Sequence, residues 1–181
     1  MAMRVNRQSK SLIELIKEHG CKNIIEIGVW KGHTTRNLLR VFDDELDRFW
    51  SVDTWNVMGP GHGRMTKMDF NAWSILHARV CLDMYYFKSL RVLRMSSAEA
   101  ATMFPKGYEF DLVFIDASHY YADVKADIKL WWPRVKKGGL LTGHDYVKPG
   151  NRHYGVTEAV NELIGKENIT EMYGNVWVHR V

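Results

Sequence analysis

Apolar segments of two different periodicities alternate along the chain, and this alternation restricts the fold more than any other feature. Residues 9–19 (SKSLIELIKEH) put Leu12, Ile13, Leu15 and Ile16 at helical spacing and stop at Gly20. Residues 23–29 (NIIEIGV) form a short apolar run of the kind found in strands covered on both faces. The pattern repeats: a helix over 34–41, a strand over 48–54, a strand over 91–95, a short helix over 98–103, a strand over 111–116 (DLVFID), a helix over 121–135 and a strand over 139–143. A helix over 156–164 follows. Residues 169–173 and 175–181 then close the chain as a hairpin around Gly174-Asn175.

Strands separated by helices predict the α/β class, a doubly wound, mostly parallel sheet with helices on both faces and an antiparallel hairpin at the end. Right-handed crossovers gather the carboxyl ends of the strands on one edge, where such sheets bind ligands. Residues 55–89 are longer than a simple crossover. They open on Gly59-Pro60-Gly61-His62-Gly63, a loop signal, and continue as an apolar helix over 70–87. That helix is apolar on more than one face, which points to a buried or dimer-forming element. Residues 59–68, with His62, Arg64 and Lys67, are the expected lid that selects a substrate. No second-domain boundary is visible, so one domain over 1–181 is expected.

Composition narrows the function. The 181 residues carry 46% hydrophobic and 25% charged side chains, a globular balance that excludes a disordered chain. Two cysteines, Cys21 and Cys81, are too few for a disulfide framework and lack metal-ligand spacing, which predicts a reducing, cytoplasmic setting. MAMRVNRQSK lacks the apolar core of a signal peptide, and no apolar run approaches the ~20 residues a membrane span needs. The net charge of +4 permits a nucleic-acid partner, but the basic residues are scattered and interleave with no aromatic stripe.

The strand ends carry the chemistry. The first runs into Glu26-Ile27-Gly28-Val29-Trp30-Lys31-Gly32-His33-Thr34, in which Gly28 and Gly32 allow close approach of backbone to a ligand. A carboxylate at Glu26 repels a pyrophosphate and attracts an ammonium group, and the spacing is not the G-x-G-x-x-G of a nicotinamide site. Asp53 ends the second strand, placed either to accept ribose hydroxyls or to cap a loop. Trp55 is placed to lie against a base or to pack. Ser96-Ser97-Ala98-Glu99 reads as a helix N-cap. Asp116 and Asp145 end neighbouring strands ~5 Å apart. With His144 they form a candidate divalent-cation site of the magnesium type, the other reading being a cofactor contact and a loop cap. His119, three residues after Asp116, is the candidate base for a substrate hydroxyl, or else a capping histidine. His19, His77, His153 and His179 have no partner in sequence and receive no role.

IIEIGVWKGHTT, SVDTW, DLVFIDASHYYADVKADIKLWWPRVKKGGLLTGHDY and YGVTEAV…VWVHRV resemble the class I S-adenosylmethionine-dependent methyltransferases. Within that class they resemble the compact branch that includes catechol O-methyltransferase and the O-methyltransferases of antibiotic sugars. The resemblance implies a Rossmann-like, seven-stranded sheet and a cytoplasmic enzyme that methylates a hydroxyl on a small polar acceptor. It implies that Glu26, Gly28, Trp30, Gly32 and Thr34 hold the methionine part of S-adenosylmethionine, Asp53 and Thr54 the ribose, and Ser97 and Ala98 the adenine edge. Asp116 borders both cofactor and acceptor. The ligands of metal-dependent relatives match Asp116, His144 and Asp145, for Mg2+ or another divalent cation, although catechol-type enzymes have Asp-Asn where this chain has His144-Asp145. His119 stands where those enzymes carry a catalytic lysine, and Ser118 where some sugar-acting relatives carry a carboxylate. The alternatives are a nicotinamide-dependent oxidoreductase or epimerase, and a nucleoside-binding module without catalysis.

Overall fold

The computed structural model describes residues 5–57 and 67–181. Most of the expected lid, residues 59–66, therefore lies outside the described residues. Seven strands form one sheet in the order β3-β2-β1-β4-β5-β7-β6. These are β1 (Asn23–Ile27), β2 (Arg48–Asp53), β3 (Leu90–Arg94), β4 (Phe110–Ile115), β5 (Val135–Gly143), β6 (Thr170–Met172) and β7 (Val176–Arg180). β1 to β5 pair in parallel, and β7 runs antiparallel to both β5 and β6. The doubly wound sheet with its closing hairpin is thus the fold that the alternation of elements predicts. The winding reverses direction between β1 and β4, which opens a crevice at their carboxyl ends.

The period of two along each strand splits the core. Ile24, Leu112, Phe114 and Leu140 face α1 (Arg7–His19), α2 (His33–Phe42) and α3 (Phe70–Met84). Ile25, Ile27, Val113, Ile115 and Leu141 face α4 (Ser97–Met103), α5 (Tyr121–Trp131) and α6 (Tyr154–Ile164). No helix of the described residues is long and apolar enough to cross a membrane.

Most boundaries agree with the sequence reading to within about two residues, and three differ by more. The helix expected over 121–135 ends at Trp131, because Pro133 has no amide hydrogen to continue it; a 3-10 turn, Trp132–Arg134, carries the chain into β5. β5 begins at Val135 rather than at 139, running through Gly138 and Gly139 with a register shift against β4. α3 stops at Met84. It buries Trp73, Val80 and Met84 and leaves Phe70, Ile75 and Leu82 exposed, so it is one-sided rather than buried all round.

Candidate active site

β1 delivers Glu26 to the base of the crevice. Its side chain is 2% exposed and accepts a hydrogen bond from the Thr35 hydroxyl in the first turn of α2. Burial pushes the Glu26 carboxyl up to about 8, helped by the nearby carboxylates of Asp116 and Asp53 and opposed by the Thr35 bond. The turn after β1 is left-handed at Gly28, Trp30 and Gly32. Gly28 is required by packing: a Cβ there would lie 2.3 Å from the Asp116 carbonyl oxygen. At Gly32 the nearest atom would be the end of the Met84 side chain, at 3.0 Å. The two glycines therefore seat β1 against β4 and α2 against α3, whatever ligand they approach. Thr34 is buried in the first turn of α2, and Trp30 is 42% exposed at the mouth of the crevice.

Asp53 latches that turn. Its Oδ2 accepts from the Val29 and Trp30 amides at 2.9 and 2.8 Å, and its Oδ1 accepts from the Trp55 amide at 2.8 Å. The loop-capping role is thus present. Each carboxylate oxygen can accept more than one bond, so Oδ1 keeps capacity for a hydroxyl. Trp55 does not lie open to a base: it is fully buried, its indole donates to the Trp30 carbonyl at 2.8 Å, and it packs on His77. The Thr54 carbonyl lies at the same edge and accepts from Arg94.

The turn before α4 is a capping box between Ser96 and Glu99. The Ser97 hydroxyl donates to Asp127 on α5 and accepts from the Trp131 indole at 2.8 Å. Burial raises the Asp127 carboxyl to about 6 against the Ser97 bond. Because its side chain is engaged in this way, Ser97 can offer only backbone, with that of Ala98, to a ligand at this edge.

The densest chemistry lies past β4 and β5. Asp116 follows β4 and His144-Asp145 follow β5, as the register of two neighbouring strands requires. His144 Nδ1 lies 3.6 Å from Asp116 Oδ1 and 3.2 Å from Asp145 Oδ2. Burial alone would lower the His144 imidazole, but the two carboxylates outweigh it and hold the group up to about 10. His119 Nε2 lies 2.8 Å from Asp145 Oδ2, and His153 Nδ1 lies 3.1 Å from Asp145 Oδ1. The rings of His119 and His153 stack with centroids 4.1 Å apart. Burial raises the Asp145 carboxyl, yet three imidazoles on its two oxygens hold it far below the usual carboxylate range.

Sequence reasoning missed His153 and Gln8. The Gln8 amide donates to Asp116 Oδ2 at 2.6 Å from the first turn of α1. His153 precedes α6 and meets His119 because Gly155 lets that helix close on the β4–α5 loop, where a Cβ would come within 2.9 Å of the His119 carbonyl. The available signal was a histidine two residues before a glycine at a helix start. The cavity beneath the cluster is about 10 Å³, lined by Asp116, Ser118, His119, His144 and Trp177 among others. It is large enough for one water at most, so an acceptor must reach His119 from the open edge. Ser118 is turned away, donating to Asp123 at 2.6 Å.

A family model described as a methyltransferase domain matches residues 25–146, the stretch that contains every one of these strand ends. The chain belongs to this methyltransferase family. The class I S-adenosylmethionine-dependent fold implied by the sequence motifs is the fold observed. An uncharacterized protein, y4gI of Sinorhizobium fredii, is 30% identical over 126 residues, covering 68% of this chain. The chain spans only 13% of that relative's length. Among solved structures, the O-methyltransferase TomG from Streptomyces achromogenes, in complex with S-adenosylmethionine, superposes with a TM-score of 0.66 at 15% identity, over 96% of this chain and 79% of that one. An O-methyltransferase from Bacillus cereus in complex with S-adenosylhomocysteine gives 0.59 at 17% identity, over 96% and 80%. These likenesses extend the agreement in fold beyond the family match to almost the whole of this methyltransferase domain.

Proposed function

We propose that this protein transfers a methyl group from S-adenosylmethionine to a hydroxyl oxygen on a small polar acceptor. The observation that carries the proposal is the alignment of a buried carboxyl (Glu26), a latched turn (Gly28 to Gly32) and a second carboxylate (Asp53) on strand ends that lead directly to Asp116 and His119. That donor set fits a zwitterionic nucleoside. Glu26 and the turn, with Trp30 and Thr34, take the ammonium and carboxylate of the methionine part; Asp53 and Thr54 take the ribose; the backbone of Ser97 and Ala98 takes the adenine edge. When bound, S-adenosylmethionine supplies a methyl group already activated on a sulfonium.

The chain then has two tasks, alignment and proton removal. Asp145 Oδ2 holds the Nε2 side of His119 and fixes the ring, so that Nδ1 is the nitrogen available to take the acceptor's proton. Asp116, held by Gln8 and His144, borders the acceptor and keeps negative charge beside the sulfonium. The magnesium set implied by the resemblance does not suit these residues: magnesium prefers oxygen ligands, His144 offers nitrogen, and both Asp145 oxygens face imidazoles. No step is assigned to that ion. Both cysteines are free thiols, in keeping with a cytoplasmic protein. A homodimer through the exposed face of α3 is part of the same reading.

Calorimetric titration with S-adenosylhomocysteine is expected to show micromolar binding that Asp53→Ala weakens at least ~10-fold, through loss of both the turn latch and the ribose contact. Tighter binding of NAD would favour the oxidoreductase alternative instead. Once an acceptor is found, His119→Gln is expected to lower turnover by about 100-fold or more while leaving S-adenosylhomocysteine affinity intact. Unchanged turnover would assign the base elsewhere.

A further inference from the structure

We propose that His119, Asp145 and His153 form a binding site for a borderline divalent transition-metal ion of the zinc or cobalt type. The proposal concerns the proton-abstracting edge described above and rests on that reading only for its location. His153 belongs neither to the sequence-derived ligand set nor to the contacts assigned to S-adenosylmethionine.

Three separate pieces of chain supply the ligands: the loop after β4, the residue pair after β5 and the residue before α6. One atom from each lies within 4.8 Å of the others. The two nitrogen–oxygen edges are 2.8 and 3.1 Å. Ligand atoms in adjacent positions around an ion at ~2.1 Å are ~3.0 Å apart in octahedral geometry and ~3.4 Å apart in tetrahedral geometry. Both imidazoles point a ring nitrogen at the same carboxylate, one at each oxygen, within the spread that a single ion can gather.

The partners of Asp145 support the same conclusion. A half-buried carboxylate such as Asp145 is ordinarily neutralised by arginine, lysine or backbone amides. Among the described residues, the side-chain partners of Asp145 are three imidazoles, from His119, His144 and His153. Imidazole is the one side chain of these types that exchanges its proton for a metal ion near neutral pH. Two imidazoles and one carboxylate make a nitrogen-rich set that ranks zinc, cobalt and nickel well above magnesium or calcium. Three protein ligands leave at least one coordination position open. An imidazole ligated through Nε2 keeps its remaining proton on Nδ1, so the base role of His119 belongs to the ion-free protein.

The test uses the full chain without a histidine tag. Equimolar Co2+ is expected to give visible ligand-field absorption, which Zn2+ abolishes by displacement and millimolar Mg2+ does not. His153→Asn is expected to weaken Co2+ binding by about 100-fold, whereas His144→Asn retains the spectrum. Absence of absorption overturns the proposal. Displacement by Mg2+ overturns it as well, and so does loss of the spectrum in His144→Asn with retention in His153→Asn, which would place the ion on Asp116, His144 and Asp145. Titration of the same samples with S-adenosylhomocysteine separates the two readings. Nucleoside binding without a cobalt spectrum removes only the metal site; a cobalt spectrum without nucleoside binding removes only the methyltransferase assignment.

Discussion

Glu26→Gln is expected to stabilise the ligand-free protein at pH 8 and, at the same time, to weaken S-adenosylhomocysteine binding by about 100-fold. The stability change follows from burial. In the folded chain the Glu26 carboxyl titrates at about 8 instead of near 4.5. Between those values the native state holds a proton that the unfolded state has released, so stability falls as pH rises from about 4.5 to about 8 and is level on either side. Each tenfold difference in proton affinity between the two states is worth ~1.4 kcal/mol, so the full decline is on the order of 5 kcal/mol. Glutamine has no proton to lose and can still accept the Thr35 bond, so the variant should lack this decline. Thermal melts of both proteins across that range test the prediction; parallel curves would mean that Glu26 ionises as an ordinary surface carboxylate. The binding change has the opposite sign because an arriving ammonium favours the carboxylate. Loss of a charge-assisted bond of ~2–3 kcal/mol corresponds to ~30- to 150-fold in affinity. Binding at pH 7 should also release a proton in the parent and none in the variant, which titration in buffers of different ionisation enthalpy would resolve.

Gly28→Ala is expected to be the more damaging change to the fold. At φ +94 an alanine is strained wherever it is placed, and its Cβ would lie 2.3 Å from Asp116 O, 2.5 Å from Asp116 C and 2.6 Å from Ala117 Cα. All three are backbone atoms, so no side-chain rotation relieves the contact. β1 and β4 must separate where the Asp116 amide now donates to the Ile27 carbonyl at 2.7 Å, which also disturbs the 2.9 Å bond from the Gly28 amide to the Val52 carbonyl on β2. A loss of ~3–5 kcal/mol is expected, a large fraction of the stability of a domain this size, with a fall in melting temperature of about 10 °C. Gly32→Ala is the control. Its φ of +68 carries similar strain, but its Cβ would meet only side-chain atoms, the flexible end of Met84 at 3.0 Å and Val80 Cγ1 at an ordinary 3.4 Å. Its cost should be about 1 kcal/mol. Equal melting temperatures for the two variants would show that the β1–β4 contact is not what selects glycine at position 28.

How much of this was legible in advance depended on the range of the interaction. The seven strands, their order along the chain and the edge that collects Glu26, Asp53, Asp116 and Asp145 follow from local periodicity, glycines and caps. Each strand or helix advertises its own period, and crossover handedness then fixes which ends lie together. The residues that decide the site's chemistry were set by contacts across long stretches of chain. Gln8 reaches Asp116 over 108 positions, and His153 reaches His119 only because Gly155 lets α6 close on the β4–α5 loop. Asp53 and Ser97 gave ambiguous signals because capping and ligand binding use the same oxygens. Tertiary packing shows Asp53 capping the Val29 and Trp30 amides, whereas Ser97 is tied to Asp127 on α5 and leaves the cap to Ser96. Trp55 shows the same limit in apolar form, since only the packing of α3 decides that it is covered. The sequence by itself therefore determined the fold and the edge that carries the carboxylates, through short-range pattern. Only the tertiary structure decided which histidines share Asp145, because those distances are sums over several elements and no local period encodes them.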